Sequence, residues 1–191
     1  MTAQEYLERE RLAETKSEFY GGEMFAMDRS NFRHAVIVTN LLGELGMRLK
    51  RRPYIVCASN LRLAVCRNSF YTYPDLMVMP DKPALIDEHR DTVTNPIVVV
   101  EVLSPSTEGY DRGRKFERYR AIPSLMEYLT VSQHGVHIEI HTRQPDDTWL
   151  LRDVRDSGPV KLQSIEVELQ LSDIYERVEF TSSEGALGAD A

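Results

Sequence analysis

Residues 95–119, NPIVVVEVLSPSTEGYDRGRKFERY, set one carboxylate, Glu101, inside an otherwise apolar run. Ile97-Val98-Val99-Val100 before it and Val102-Leu103 after it have the unbroken, β-branched character of a strand buried on both faces. An unpaired carboxylate in such a place would be strongly destabilising or would take up a proton, so a metal ion, a lysine or another hydrogen-bonding group has to face it. The sequence offers Asp75, in Tyr73-Pro74-Asp75, and Lys115, on the segment that follows the strand. Two carboxylates and a lysine are a set of groups suited to phosphodiester cleavage.

Upstream of that strand, Thr2-Ala3-Gln4-Glu5 has the form of a capping box and predicts a first helix to about Ala13. SEFYGGEMFAM (17–27) predicts a hairpin turning at Gly21-Gly22, with Glu18 and Glu23 on either side. Val36, Ile37, Leu41, Leu45 and Leu49 recur with helical period, so His34 to about Leu49 is the longest helix expected, stopped by the basic run Arg48 to Arg52 and by Pro53. Tyr54 to Val65 predicts two strands, or one bent strand, meeting near Ser59-Asn60. In YTYPDLMVM (71–79) period-two spacing places Tyr71, Tyr73, Asp75, Met77 and Met79 on one strand face, with Pro74 favouring an edge or the entry to the strand. Residues 80–95 read as a connection, with room for a helical turn.

Downstream, Ser104-Pro105-Ser106-Thr107 ends the strand, and Asp111 is expected to cap a helix through about Ala121, ahead of Pro123. On that helix Lys115 and Tyr119, four residues apart, share a face. Ser124 to Val131 and Val136 to Thr142 predict an adjacent strand pair turned by Gln133-His134-Gly135. Trp149 to Val154 adds a third strand, Ile165 to Leu169 a short one, and Leu171 to Val178 a last helix. Residues 181–191 are small and polar, as in a disordered tail.

At 191 residues and 42% hydrophobic, the chain is long enough for one domain with a sizeable core, expected over residues 1–180, and short for two. The charged N-terminus and the lack of any long apolar window exclude a signal peptide and a membrane span, so a cytoplasmic protein is expected. Cys57 and Cys66 have no CxxC spacing or companion histidines and read as reduced thiols rather than zinc ligands. The net charge of −7 resides in residues 145–191, with eleven acidic and four basic residues, so the first 144 residues are neutral. Within these, basic residues cluster at Arg48, Lys50, Arg51 and Arg52, and again at Arg112, Arg114, Lys115, Arg118 and Arg120. A local positive field of this kind suits phosphate better than the total charge suggests, although solvated helix faces would give the same pattern.

Asp75 and Glu101 stand 26 residues apart on two expected strands, and Lys115 follows Glu101 by 14. Two hard oxygen ligands suit Mg²⁺ or Mn²⁺, which keeps several waters and takes up phosphate oxygens. A nearby lysine can orient the attacking water or stabilise charge in the transition state. The structural alternative is a Glu101–Lys115 salt bridge.

Tyr73-Pro74-Asp75, Glu101-Val102-Leu103-Ser104-Pro105-Ser106-Thr107, Asp111-Arg112-Gly113 with Lys115-Phe116 and Tyr119, Ile122-Pro123-Ser124-Leu125 and Val131-Ser132-Gln133 together closely resemble the Uma family of putative restriction endonucleases. The resemblance runs from about Thr2 to Glu176 and includes the Gly22-Glu23 hairpin and His34. It implies the PD-(D/E)XK nuclease fold, a mixed central sheet flanked by helices, with Asp75 and Glu101 as ligands of Mg²⁺ or Mn²⁺ and the carbonyl of Val102 as a further ligand. The usual lysine position, two residues after the second acid, is held here by Leu103, so the resemblance assigns the catalytic lysine to Lys115 on the following helix. It allows Glu18 as an additional acid and His34, Ser59 and Tyr119 as supporting groups. Helix-end and turn caps for His34 and Ser59, and a core aromatic for Tyr119, are their structural alternatives.

The function implied is a metal-dependent endonuclease acting on DNA, with no membrane partner and a homodimer as a permitted assembly. Two rivals stay open on the sequence: a nuclease-fold binding or scaffold protein whose ion network is only structural, and a glycosidase using Asp75 and Glu101 as its carboxylate pair.

Overall fold

The structure, a computed structural model, describes residues 1–27, 30–104 and 108–180. Its elements are α1 (Ala3–Glu10), β1 (Ser17–Tyr20), β2 (Glu23–Ala26), α2 (Phe32–Arg48), β3 (Tyr54–Ala58), β4 (Arg62–Cys66), β5 (Phe70–Thr72), β6 (Leu76–Pro80), β7 (Thr92–Val93) and β8 (Val98–Leu103). A helical segment follows in three pieces: α3 (Glu108–Tyr110), a π-helical turn (Asp111–Lys115) and α4 (Phe116–Tyr119). The chain continues through β9 (Glu127–Ser132), β10 (His137–Arg143), β11 (Trp149–Arg155), β12 (Pro159–Leu162), β13 (Val167–Gln170) and α5 (Leu171–Ile174).

The centre is a six-stranded mixed sheet in the order β11-β10-β9-β8-β6-β3. Within it β8 and β9 run parallel, and the other neighbours are antiparallel. A second sheet, β2-β1-β5-β4-β7, and the small pair β12-β13 complete the strands. Every residue of β8 is buried, as its apolar sequence requires of a strand covered on both faces. Val98, Val100 and Val102 pack on α2, α5 and β12-β13 through Leu41, Leu45, Ile174 and Leu169. Val99 points the other way, into a cluster with Met77, Leu63, Phe70, Tyr119 and Tyr128. Glu101, two residues on, belongs to that second face.

Local rules account for the helices that orient this core. Thr2 and Glu5 form the expected capping box on α1. Asn31 caps α2 by accepting from the His34 N–H at 2.9 Å, so the helix begins two residues before the expected His34 and carries His34 in its first turn. Gly21 and Gly22, at φ of 58° and 95°, make the β1–β2 hairpin turn.

Three expectations are corrected. Residues 71–79 are not one strand face: the chain leaves the second sheet after Thr72 and enters the central sheet at Leu76, because Pro74 has no N–H to continue a ladder. Asp75 therefore stands at the mouth of β6 rather than within a strand. Asp111 does not cap a helix but is buried inside one that already begins at Glu108. The connection 80–95 contains β7, which lies parallel to β4. The expected tail, residues 181–191, and Pro105, Ser106 and Thr107 lie outside the described residues.

Candidate active site

The antiparallel register of β6 and β8 pairs Leu76 with Val100, so one step further along it Asp75 comes opposite Glu101. Two acids 26 residues apart in sequence are thereby brought side by side, Asp75 at the entry to β6 and Glu101 within β8. Asp75 is held there by two donors to Oδ2, the Val102 N–H at 2.8 Å and His34 Nε2 at 3.0 Å. With Asp75 ionised, that second bond needs the His34 proton on Nε2. His34 is thus a support for Asp75 and not a helix cap. Ser59, at the β3–β4 turn, donates its N–H to the Asp75 carbonyl at 3.1 Å and fixes the backbone from behind.

Glu101 is only 4% exposed, and its Oε1 accepts from the Tyr119 hydroxyl at 2.6 Å and lies 2.9 Å from Lys115 Nζ. Lys115 and Tyr119 do share a face, as their spacing predicts. The Lys115 ammonium, itself 5% exposed, is also 3.1 Å from Glu18 Oε1 and 3.5 Å from Asp111 Oδ1. Tyr110 donates to Glu18 Oε2 at 3.2 Å, and Tyr128 donates to the Asp111 carbonyl at 3.0 Å. The π-helical turn contributes directly, since a five-residue repeat places Tyr110 on the same side as Lys115, 5.9 Å from its ring to the ammonium.

These groups line one cavity of about 450 Å³, which includes Lys16, Glu18, His34, Ser59, Asp75, Glu101, Val102, Tyr110, Asp111 and Lys115. Its titrations follow from burial and like charge. Burial first, then Asp111 and Asp75, push the Glu101 carboxyl up to about 8, against the opposing pull of Lys115 and Tyr119. Burial alone would drive the Lys115 ammonium down, but the surrounding Glu101, Glu18 and Asp111 carboxylates outweigh it and hold it well above its ordinary value. Burial and the Glu101 charge raise the Tyr119 phenol far enough that it remains a neutral donor. Burial lowers Lys16, whose ammonium donates to the Ser59 carbonyl at 2.6 Å and to Asn60 Oδ1 at 2.8 Å.

The donor chemistry fits a hard divalent cation. Glu18, Asp75, Glu101 and Asp111 are four carboxyl groups around the cavity against the two ammonium groups of Lys16 and Lys115, and Asp111 and Asp75 add to the burial that raises the Glu101 pKa. Oδ1 of Asp75 and Oε2 of Glu101 take no part in the contacts above. Among the described residues no three His, Cys, Asp or Glu side chains form a metal cage. A Mg²⁺ site built on one or two carboxylates, with waters and substrate phosphate filling the rest, needs none.

Sequence reasoning missed Lys16, Tyr110 and the role of Asp111. Two of them left a signal: Lys16 is two residues from Glu18, the spacing of one strand face, and Asp111 is four residues from Lys115. The basic clusters divide differently from expectation. Arg48 is spent on Glu44 and Asp173, and Arg52 on Glu166. Arg112 is tied to Glu108 and Glu139, and Arg118 lies 3.4 Å over the Tyr20 ring and donates to the Tyr110 hydroxyl. Arg114 is exposed.

Mixed sheet, helices and cleft acids define a restriction-endonuclease-like fold. The chain belongs to the Uma2 family, whose model, described as "Putative restriction endonuclease", matches residues 3–173. It is similar to two proteins of Synechocystis sp., "Uncharacterized protein sll1609" and "Uncharacterized protein slr1290". The first is 38% identical over 154 residues, 81% of this chain and 87% of that protein. The second is 33% identical over 182 residues, 94% of each. In fold it is similar to the crystal structure of "a putative nuclease belonging to DUF820" from Anabaena variabilis, with a TM-score of 0.75 at 15% identity, over 92% of this chain and 97% of that one.

Proposed function

We propose that the protein is a metal-dependent endonuclease that hydrolyses phosphodiester bonds of DNA at the Asp75–Glu101–Lys115 cleft. The observation that carries this reading is the convergence of Asp75 and Glu101 from adjacent strands with Lys115 2.9 Å from Glu101, in a cavity with more carboxyl than ammonium groups. Asp75, Glu101 and the Val102 carbonyl would hold Mg²⁺ or Mn²⁺. Such an ion neutralises charge on the scissile phosphate and makes hydroxide available near neutral pH. His34 and the Val102 N–H fix the Asp75 carboxylate, and Tyr119 fixes that of Glu101, so neither has to reorganise as substrate arrives. Lys115, anchored by three carboxylates, presents a fixed ammonium to the attacking water or to charge growing on the phosphate.

The same three contacts favour a second reading, a purely structural ion network in a nuclease-fold binding protein. Metal titration separates the two. Millimolar Mg²⁺ or Mn²⁺ is expected to raise the midpoint of thermal unfolding and to switch on cleavage of plasmid DNA, because an ion that binds only the native state stabilises it by mass action. An unchanged midpoint and intact plasmid at millimolar metal leave the structural network as the answer.

Phosphate steering falls to Arg114, one of the two exposed arginines of its cluster with Arg120. Arg114→Ala is expected to weaken DNA binding uniformly across sequences and to reduce the slope of log affinity against log salt by about 1. Arg112→Ala breaks ties to Glu108 and Glu139 and is expected to show mainly as lost stability. A salt series on both variants checks the distinction.

A further inference from the structure

We infer that the cleft takes an unpaired nucleotide, one from a single strand or from a frayed or mismatched step, with Phe25 as the platform on which its base stacks. This rests on the nuclease reading above and adds the form of the substrate. Phe25 pairs directly with Glu18 in the β1–β2 register, so the two side chains emerge on the same face of the hairpin. Glu18 is the acid 3.1 Å from Lys115, and Phe25 accordingly lines the cavity that holds Asp75, Glu101 and Lys115. Phe25 is 48% exposed, in a strand whose partner residue Phe19, one position on, is fully packed against Tyr6. An exposed phenylalanine alone says little. One set across from a half-buried acid, at the mouth of a charged cleft, presents a flat apolar surface where a ligand must pass.

Depth argues for the same substrate. Glu101 and Lys115 are 4% and 5% exposed, so a phosphate reaches them only if the strand that carries it enters the cavity. About 450 Å³ is the scale of a pocket for one small-molecule-sized group. A paired duplex, with two backbones and a stack of base pairs between them, is far larger than one such group and cannot enter. One extruded nucleotide can, and its phosphate would meet Lys16 and Lys115 while its base met Phe25, with the Tyr110 ring also lining the cavity. Base–aromatic stacking is indifferent to sequence, because every base has a π-face.

The test measures binding by fluorescence anisotropy, with Ca²⁺ as the divalent ion and gel electrophoresis to verify that the oligonucleotides stay intact. The probes are one labelled single-stranded DNA, its matched duplex, and the same duplex with a central mismatch. The single strand and the mismatched duplex are expected to bind about 10-fold or more tightly than the matched duplex. Phe25→Ala should weaken binding of the favoured probes by about 5- to 100-fold, the range of one lost stacking contact, and Phe25→Trp should retain it. Thermal unfolding of both variants verifies folding. Equal or tighter binding of the matched duplex overturns the inference, as does a folded Phe25→Ala protein with the wild-type preference. Either result leaves the nuclease reading standing if metal-dependent cleavage is present, whereas loss of cleavage and of all DNA binding sinks both.

Discussion

Glu101→Gln is expected to lower metal-dependent DNA cleavage by a factor of about 10² or more, while leaving the metal-free protein as stable as wild type or more stable at pH 8 and above. The first effect follows from removing a hard anionic ligand and the charge compensation it supplies in the transition state. The second follows from the direction of the Glu101 pKa. Its carboxyl is raised to about 8 in the folded protein, chiefly by burial, against an ordinary value near 4.3 in an unfolded chain. A folded state that holds the proton more tightly gains a contribution that is fully present below about pH 4 and is lost as pH rises through about 8. Glutamine imitates the protonated acid at every pH, so it keeps the Tyr119 contact without the buried charge. The stability profile of metal-free Glu101→Gln should be flatter than that of wild type between about pH 5 and 8. Asp75→Asn should likewise lose the metal-induced rise in unfolding midpoint. Either variant cleaving at the wild-type rate would remove its residue from the site.

That pair of expected effects, a more stable apo fold and a lost reaction, would mark Glu101 as kept for function, and it bears on what the sequence made legible. Glu101 stood out because charge is rare within Ile97–Leu103, and the structure buries it as that run demands. The same rule is not sufficient by itself. Glu127, on the neighbouring strand β9, is fully buried as well, yet it is satisfied by the N–H groups of Gln163 and Ser164 and by the Ser164 hydroxyl, away from the cavity. Both acids sit in strand-forming sequence, and only tertiary contact separates a capped structural carboxylate from one facing an open cleft. Helix and strand patterns located most elements because period and capping are local. The break at Pro74, which sends β5 and β6 into different sheets, depends on which sheet each side chain finds, and period-two spacing is blind to it. Glu18 and His34 reach the site from 57 and 41 residues before Asp75, by way of a hairpin and a helix start, and nothing in spacing alone links them to it.

Lys115→Met is expected to lower the stability of the metal-free protein by about 3–5 kcal/mol near neutral pH, the usual result of leaving a buried charge without its partner. Here three acids are left: Glu101, Glu18 and Asp111 all lie within 3.5 Å of the ammonium. The Lys115 pKa is raised, so its contribution is complete throughout the acid and neutral range and fades only in strong alkali. The cost of the substitution should nevertheless grow as pH rises above about 8, where Glu101 ionises beside the ammonium in wild type but stays protonated without it, whereas below about 8 Glu101 is protonated in both proteins and adds no pH dependence to the cost. Saturating Mg²⁺ or Mn²⁺ should restore part of the lost stability, since a divalent cation compensates the same carboxylates. It should not restore cleavage, which is expected to remain lower by about 10²-fold or more for want of a fixed ammonium beside the phosphate. Metal-dependent unfolding and cleavage rates, measured on one preparation, supply the comparison. A Lys115→Met protein that cleaves at the wild-type rate once metal has stabilised it would show the lysine to be structural. One that is destabilised equally with and without metal would show that no ion binds between these acids.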